Sequence, residues 1–87
     1  MKTNLQDLGK RFVQVYYSLY ALKIVHSRRE FCAAIGMQPQ NFRAVEAGRQ
    51  GVSLPMLCNT INAYGIRPDW LFLGDGNMLS DYGDTTV

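Results

Sequence analysis

Residues 27–49 read SRREFCAAIGMQPQNFRAVEAGR, and this stretch decides the fold. Ser27-Arg28-Arg29-Glu30 is a capping box. The Ser27 hydroxyl can accept from the amide of Glu30, and the Glu30 carboxylate can reach back to the amide of Ser27. A short helix follows, with Phe31, Cys32 and Ile35 on its inner face. Gly36 ends it, because a turn there wants positive φ. Pro39 then opens a second short helix, where its missing N–H has no partner to lose. That helix is expected to run to about Ala47 and stop at Gly48. Two short helices joined by a glycine-containing turn make a helix-turn-helix, with the small Cys32 where they cross.

The second of these helices has two faces. At about 100° per residue, Phe42 and Val45 lie roughly 200° and 140° from Gln40. They form the anchoring side. Gln40, Arg43, Ala44 and Ala47 therefore point outward, with Asn41 to the side. The outward set suits a DNA major groove. Gln can pair bidentately with adenine, Arg with guanine, and Ala can touch a thymine methyl. No carboxylate faces outward between Gln38 and Val45. Arg28, with the open amides at its helix start, suits a phosphate, and Arg49 and Gln50 suit another. Taken singly, Gln40 or Arg43 is an ordinary solvent-facing residue. The combination of caps, small residue, Gly, Phe and Val at these spacings is what points to DNA.

The flanks also read as helices. Leu5, Leu8, Phe12, Val15, Leu19 and Leu22 recur at alternating steps of three and four, one stripe on a helix from about Asn4 to Ile24. Tyr16, Tyr17 and Tyr20 widen that apolar surface and are a candidate surface for a second copy of the chain. Ser53 caps a fourth helix with Leu54, Leu57, Cys58 and Ile61 inward, ended by Gly65. Pro68 opens a last short helix through Trp70, Leu71 and Leu73, closed by Gly74. No repeat and no strand alternation is present. The fold class is all-α, a compact five-helix bundle with an embedded helix-turn-helix and an extended first helix. Residues 1–76 form the domain, and residues 77–87 an acidic tail.

Length and charge agree with this reading. Eighty-seven residues, 47% apolar and 18% charged, make one small globular domain, not a disordered tract. All nine Lys and Arg fall in residues 1–74 against four carboxylates, a net +5, and residues 75–87 carry −3. A basic body suits a polyanion. No apolar run approaches the roughly 20 residues of a membrane span, and no cleavable signal is evident. Cytoplasmic residence is expected, with Cys32 and Cys58 as small buried hydrophobes. Cys32, Cys58 and His26 lack the paired spacing of a zinc site. Enzyme chemistry wants parts the chain does not offer. Its single His stands beside a cap, Ser27 and Glu30 are occupied as caps, and no phosphate-cradling glycine loop follows a strand. No catalytic residue, metal, cofactor or small-molecule substrate is indicated.

Over roughly residues 12–76 the chain resembles the DNA-binding domain of the lambdoid phage repressor and Cro family, also called the XRE family. The resemblance is carried by Ser27 to Cys32, Gly36, Phe42, Val45-Glu46-Ala47-Gly48-Arg49, Ser53-Leu54, Leu57, Gly65-Ile66, Asp69-Trp70-Leu71 and Leu73-Gly74-Asp75-Gly76. It implies a five-helix fold, operator binding as a homodimer and transcriptional regulation. Mapped on this chain, its base-reading positions are Gln38, Pro39, Gln40, Asn41, Arg43 and Ala44. Its phosphate contacts are Arg28 and the region of Arg49 and Gln50. Three departures stand out. Cys32 replaces a usual Ala, Arg28 replaces a usual Gln, and Ala21 replaces the first-helix Arg that in many members pairs with the Glu that is Glu46 here. Glu46 is thus expected to find another partner or stay solvated. Double-stranded DNA with a near-palindromic site is the expected partner. The competing expectation is a protein-interaction module, antitoxin-like or anti-repressor-like, docking through the aromatic first helix.

Overall fold

Three phenylalanines from three helices meet at the centre of the molecule. The ring centroids of Phe12, Phe31 and Phe42 lie 5.7–5.9 Å apart, and each ring is fully buried. The computed structural model describes residues 5–79. It is a compact all-helical domain, with five helices among the described residues: α1 (Leu5–Ala21), α2 (Arg28–Ile35), α3 (Pro39–Glu46), α4 (Leu54–Tyr64) and α5 (Pro68–Leu73). Helix α1 packs on α3 and α5, and α2 packs on α3 and α4. None of these helices is long and apolar enough to cross a membrane.

The α2–turn–α3 unit forms as its sequence dictates. Ser27 Oγ accepts from Glu30 N at 3.0 Å. Gly36 takes the left-handed conformation at φ 75° and closes α2. Pro39 occupies the first turn of α3. Phe31, Cys32, Ile35, Phe42 and Val45 are all buried. Asn59 of α4 donates to the Ile35 carbonyl at 2.9 Å and satisfies one of the open acceptors at the end of α2. One half of the capping box differs from expectation. Glu30 Oε1 accepts from the amide of His26 at 2.8 Å rather than from Ser27, with His26 Nδ1 3.1 Å away.

Four other expectations are corrected. Helix α1 stops at Ala21, short of Ile24. Lys23 adopts φ 65°, its amide bonds to Tyr20 O at 3.0 Å, and Ile24 N bonds to Leu19 O at 2.9 Å. This is a Schellman closure built on a lysine where glycine is usual. It turns the chain so that Val25 enters the core, while Leu22 and Ile24 stay exposed. The start of the expected helix at Asn4 and the side chain of Leu5 lie outside the described residues. Helix α4 is rotated from the expected face. Leu57 and Thr60 are buried, Ile61 and Tyr64 are partly buried, and Leu54 and Cys58 are exposed. The stripe begins at Leu57, and Thr60 fits it because its hydroxyl donates to Met56 O at 2.7 Å.

Tyr16 is in the core at 4% exposure, not on an outer surface. Its ring lies 5.4 Å from Phe42 and 5.6 Å from Phe31. The body also continues past residue 76. Arg67 N bonds to Met78 O at 2.8 Å, and Ile66 and Leu79 form an antiparallel bridge. Met78 and Leu79 therefore pack on the core, where a tail from residue 77 was expected. The rest of that tail, residues 80–87, lies outside the described residues.

Candidate nucleic-acid interface

Helix α3 is fixed by its inner residues and leaves its outer ones free. Phe42 is fully buried and Val45 is 5% exposed. Gln38, Pro39, Gln40, Asn41, Arg43 and Ala47 are exposed, and Ala44 is half-buried. Gln38 is the N-cap residue, yet its side chain makes no capping bond. The amide and guanidinium groups of Gln38, Gln40, Asn41 and Arg43 make no hydrogen bond to another described residue. They are unspent donors and acceptors on and beside the exposed face of α3. Beyond α3, the turn at Gly48 (φ 80°) leads into Arg49 and Gln50, both exposed.

Arg28 is placed differently from expectation. Its guanidinium reaches across to α3, with the side chain still 41% exposed. Nη2 lies 3.0 Å from Glu46 Oε2, and Nε lies 3.3 Å from Oε1. Nη2 also donates to the Tyr17 hydroxyl at 2.7 Å, and Tyr17 in turn donates to Glu46 Oε2. The guanidinium carbon sits 5.3 Å from the Tyr16 ring centre and 5.7 Å from that of Tyr17, within cation–π range. Glu46 thus has a partner from α2, which makes up for Ala21 on α1. The hydrogen bonds from Arg28 hold the Glu46 carboxyl below its ordinary range. The bond to Glu46 raises the Tyr17 hydroxyl above its usual value.

This arrangement changes the electrostatics of the face. Residues 27–53 contain two carboxylates, Glu30 and Glu46. Glu46 is neutralised by Arg28. Glu30 sits at the start of α2, held by His26 and lowered in pKa chiefly by the His26 amide. A carboxylate already there makes the start of α2 less favourable to an incoming phosphate. The cations on and beside α3 that make no close ion pair among the described residues are Arg43 and Arg49, with Lys10 from α1.

Two open depressions flank α3. One, of about 630 Å³, is bounded by Gly9, Lys10 and Val13 of α1 and by residues 45–51. The other, of about 360 Å³, lies between the α2–α3 turn and the start of α4, lined by Gln38, Asn41, Gln50 and Ser53 among others. Of the tyrosines considered for a second copy, Tyr17 and Tyr20 are 45% and 52% exposed and continue into exposed Leu22 and Ile24. No group of three or more His, Cys, Asp or Glu side chains comes together for a metal among the described residues.

Sequence reasoning missed three features. The Arg28–Glu46–Tyr17 cluster joins residues 11 to 29 positions apart, beyond any local pattern. Arg11 donates to Leu71 O and Phe72 O at 2.8 and 3.0 Å, closing the end of α5. Lys10 lines the larger depression. No protein-family model, no curated protein and no solved structure matches the chain.

Proposed function

We propose that the chain is a sequence-specific double-stranded DNA-binding regulator of transcription. Helix α3 is its major-groove element. The observation that carries the reading is the division of α3. Phe42 and Val45 lock it to the core, while Gln40, Arg43 and Ala44 present base-reading chemistry with no free carboxylate among them. Internal neutralisation of Glu46 supports this, since an unpaired acid at the end of α3 would repel the backbone. In this reading two copies act on half-sites about 10 base pairs apart, as a phage-type or prokaryotic regulator in the cytoplasm. Tyr17 and Tyr20 are the aromatic residues left for contact between copies.

A random-site selection on duplex DNA tests it. A near-palindromic motif is expected, with affinity falling steeply with salt at about −0.9 in log–log slope per phosphate contacted. Return of no motif and no salt-dependent binding removes the reading. The second reading, a protein-docking module, is favoured by the exposed run of Tyr17, Tyr20, Leu22 and Ile24. Binding of a partner through that surface would show little dependence on salt.

A further inference from the structure

The larger depression beside α3 has a cation on each of two walls. The wall from α1 carries Lys10, and the wall from the segment after α3 carries Arg49. Both side chains are exposed, and neither makes an ion pair or hydrogen bond among the described residues. The floor is apolar, from Val13 and Val45. The one carboxylate on the lining is Glu46, already neutralised by Arg28. Gly48 and Gly51 have open space where a side chain would begin, with no atom within 4 Å of an added Cβ. A tetrahedral anion can therefore reach the main chain of this turn.

The dimensions say which anion. Helix α3 has eight residues and so spans about 12 Å. The DNA major groove is also about 12 Å wide. With α3 across that groove, the segment just beyond its C-terminal end lies over one phosphate strand. Resting on the DNA reading proposed above, we infer that Lys10 and Arg49 clamp the backbone strand flanking the end of α3, each holding one of two successive phosphodiesters. Lys10 makes α1 a direct part of the interface. The open start of α2, where Arg28 is occupied and Glu30 stands, gives up that role.

The test measures duplex binding across a salt series for the whole chain, with Lys10→Gln, Lys10→Arg and Arg49→Gln beside the parent. Lys10→Gln is expected to flatten the log–log slope by about one unit. It should weaken selected and random duplexes by the same factor, about tenfold near 0.1 M salt, the counterion-release value for one phosphate. Arg49→Gln should do the same, and Lys10→Arg should keep the parent slope. Thermal unfolding of each variant is expected to match the parent, because both side chains are exposed. An unchanged slope in Lys10→Gln, with parent binding intact, overturns the clamp and leaves the DNA reading standing. Failure of the parent to bind any duplex removes both. Millimolar inorganic phosphate, followed by amide shifts at residues 48–51, separates the sources. Saturable binding there without any duplex binding would assign the depression to a free anion and overturn the inference.

Discussion

Arg28, the first residue of α2, and Glu46, the last of α3, are joined by two hydrogen bonds of 3.0 and 3.3 Å. The pair sets the angle between the two helices of the motif at the ends where they would otherwise splay. Tyr17 completes it from α1 by bonding to both partners. Three helices are therefore tied at one point on the molecule's edge, next to the aromatic core. The guanidinium fork suits this place better than an ammonium would, since it meets two carboxylate oxygens and two ring faces at once.

Removing the guanidinium tests the tie. Arg28→Ala is expected to cost about 1 kcal/mol in urea unfolding, the scale of a well-formed but partly exposed pair. Glu46→Gln alone should cost a similar amount. The double variant should cost less than the two singles added, because each single strands the other partner. Strict additivity would show that the contact contributes nothing. If Arg28 acts only within this cluster, Arg28→Ala will weaken DNA binding without changing its salt slope.

Acid should loosen the same cluster. The Glu46 carboxyl titrates below its ordinary value when folded, held there first by the Arg28 hydrogen bonds. A depressed folded value means its contribution is fully present above the unfolded value. It is lost as pH falls through the lowered folded one. Tyr17 runs the other way. Its hydroxyl is raised by the bond to Glu46, so its contribution holds below the usual tyrosine range and is lost as pH climbs through the raised value. Stability measured across the acid range should fall less steeply in Glu46→Gln than in the parent. Matching acid profiles would remove Glu46 as a source of the dependence.

The contrast between legible and illegible features follows sequence distance. Ser27, Gly36 and the Phe42–Val45 spacing act within a few residues of themselves, so the motif could be read directly. The partner of Arg28 could not, because a cation at a helix start has the same local signature whether it faces solvent or a carboxylate 18 residues on. The end of α1 was hidden because Lys23 takes a conformation that usually announces itself by glycine. The face of α4 was misread because Leu54 fits the helical period as well as Ile61 does. Only tertiary packing decides that Thr60 goes in and Cys58 stays out. The outward set on α3 was the easier part of the site, since it follows once the buried pair is known.

Arg11 gives a prediction about α5. Its side chain supplies donors to two carbonyls that the helix end leaves open. Arg11→Ala is expected to cost about 2 kcal/mol, in the range for bonds to a charged donor. The loss should be local first, with α5 amides exchanging faster than those of α2. Arg11→Lys should recover only part, since one ammonium cannot fork to both oxygens with the same geometry. Uniform acceleration across all five helices would show that Arg11 supports the whole fold and not α5 in particular.

Arg43 offers the sharpest test of how α3 would be used. It is exposed in the last turn of α3 with no hydrogen bond or close ion pair among the described residues, and only a through-space attraction to Glu46, so its removal should change folding little. If it reads a base, Arg43→Ala will cost about 1–3 kcal/mol on the selected duplex and little on random DNA. Specificity would then relax at one position of each half-site. Arg49→Ala should behave differently, weakening both duplexes alike, because a phosphate contact carries no sequence information. Equal losses for Arg43→Ala on both duplexes would place it on the backbone. The base-reading set would then keep the amide side chains Gln38, Gln40 and Asn41 beside Pro39 and Ala44, with a preference for adenine in place of guanine.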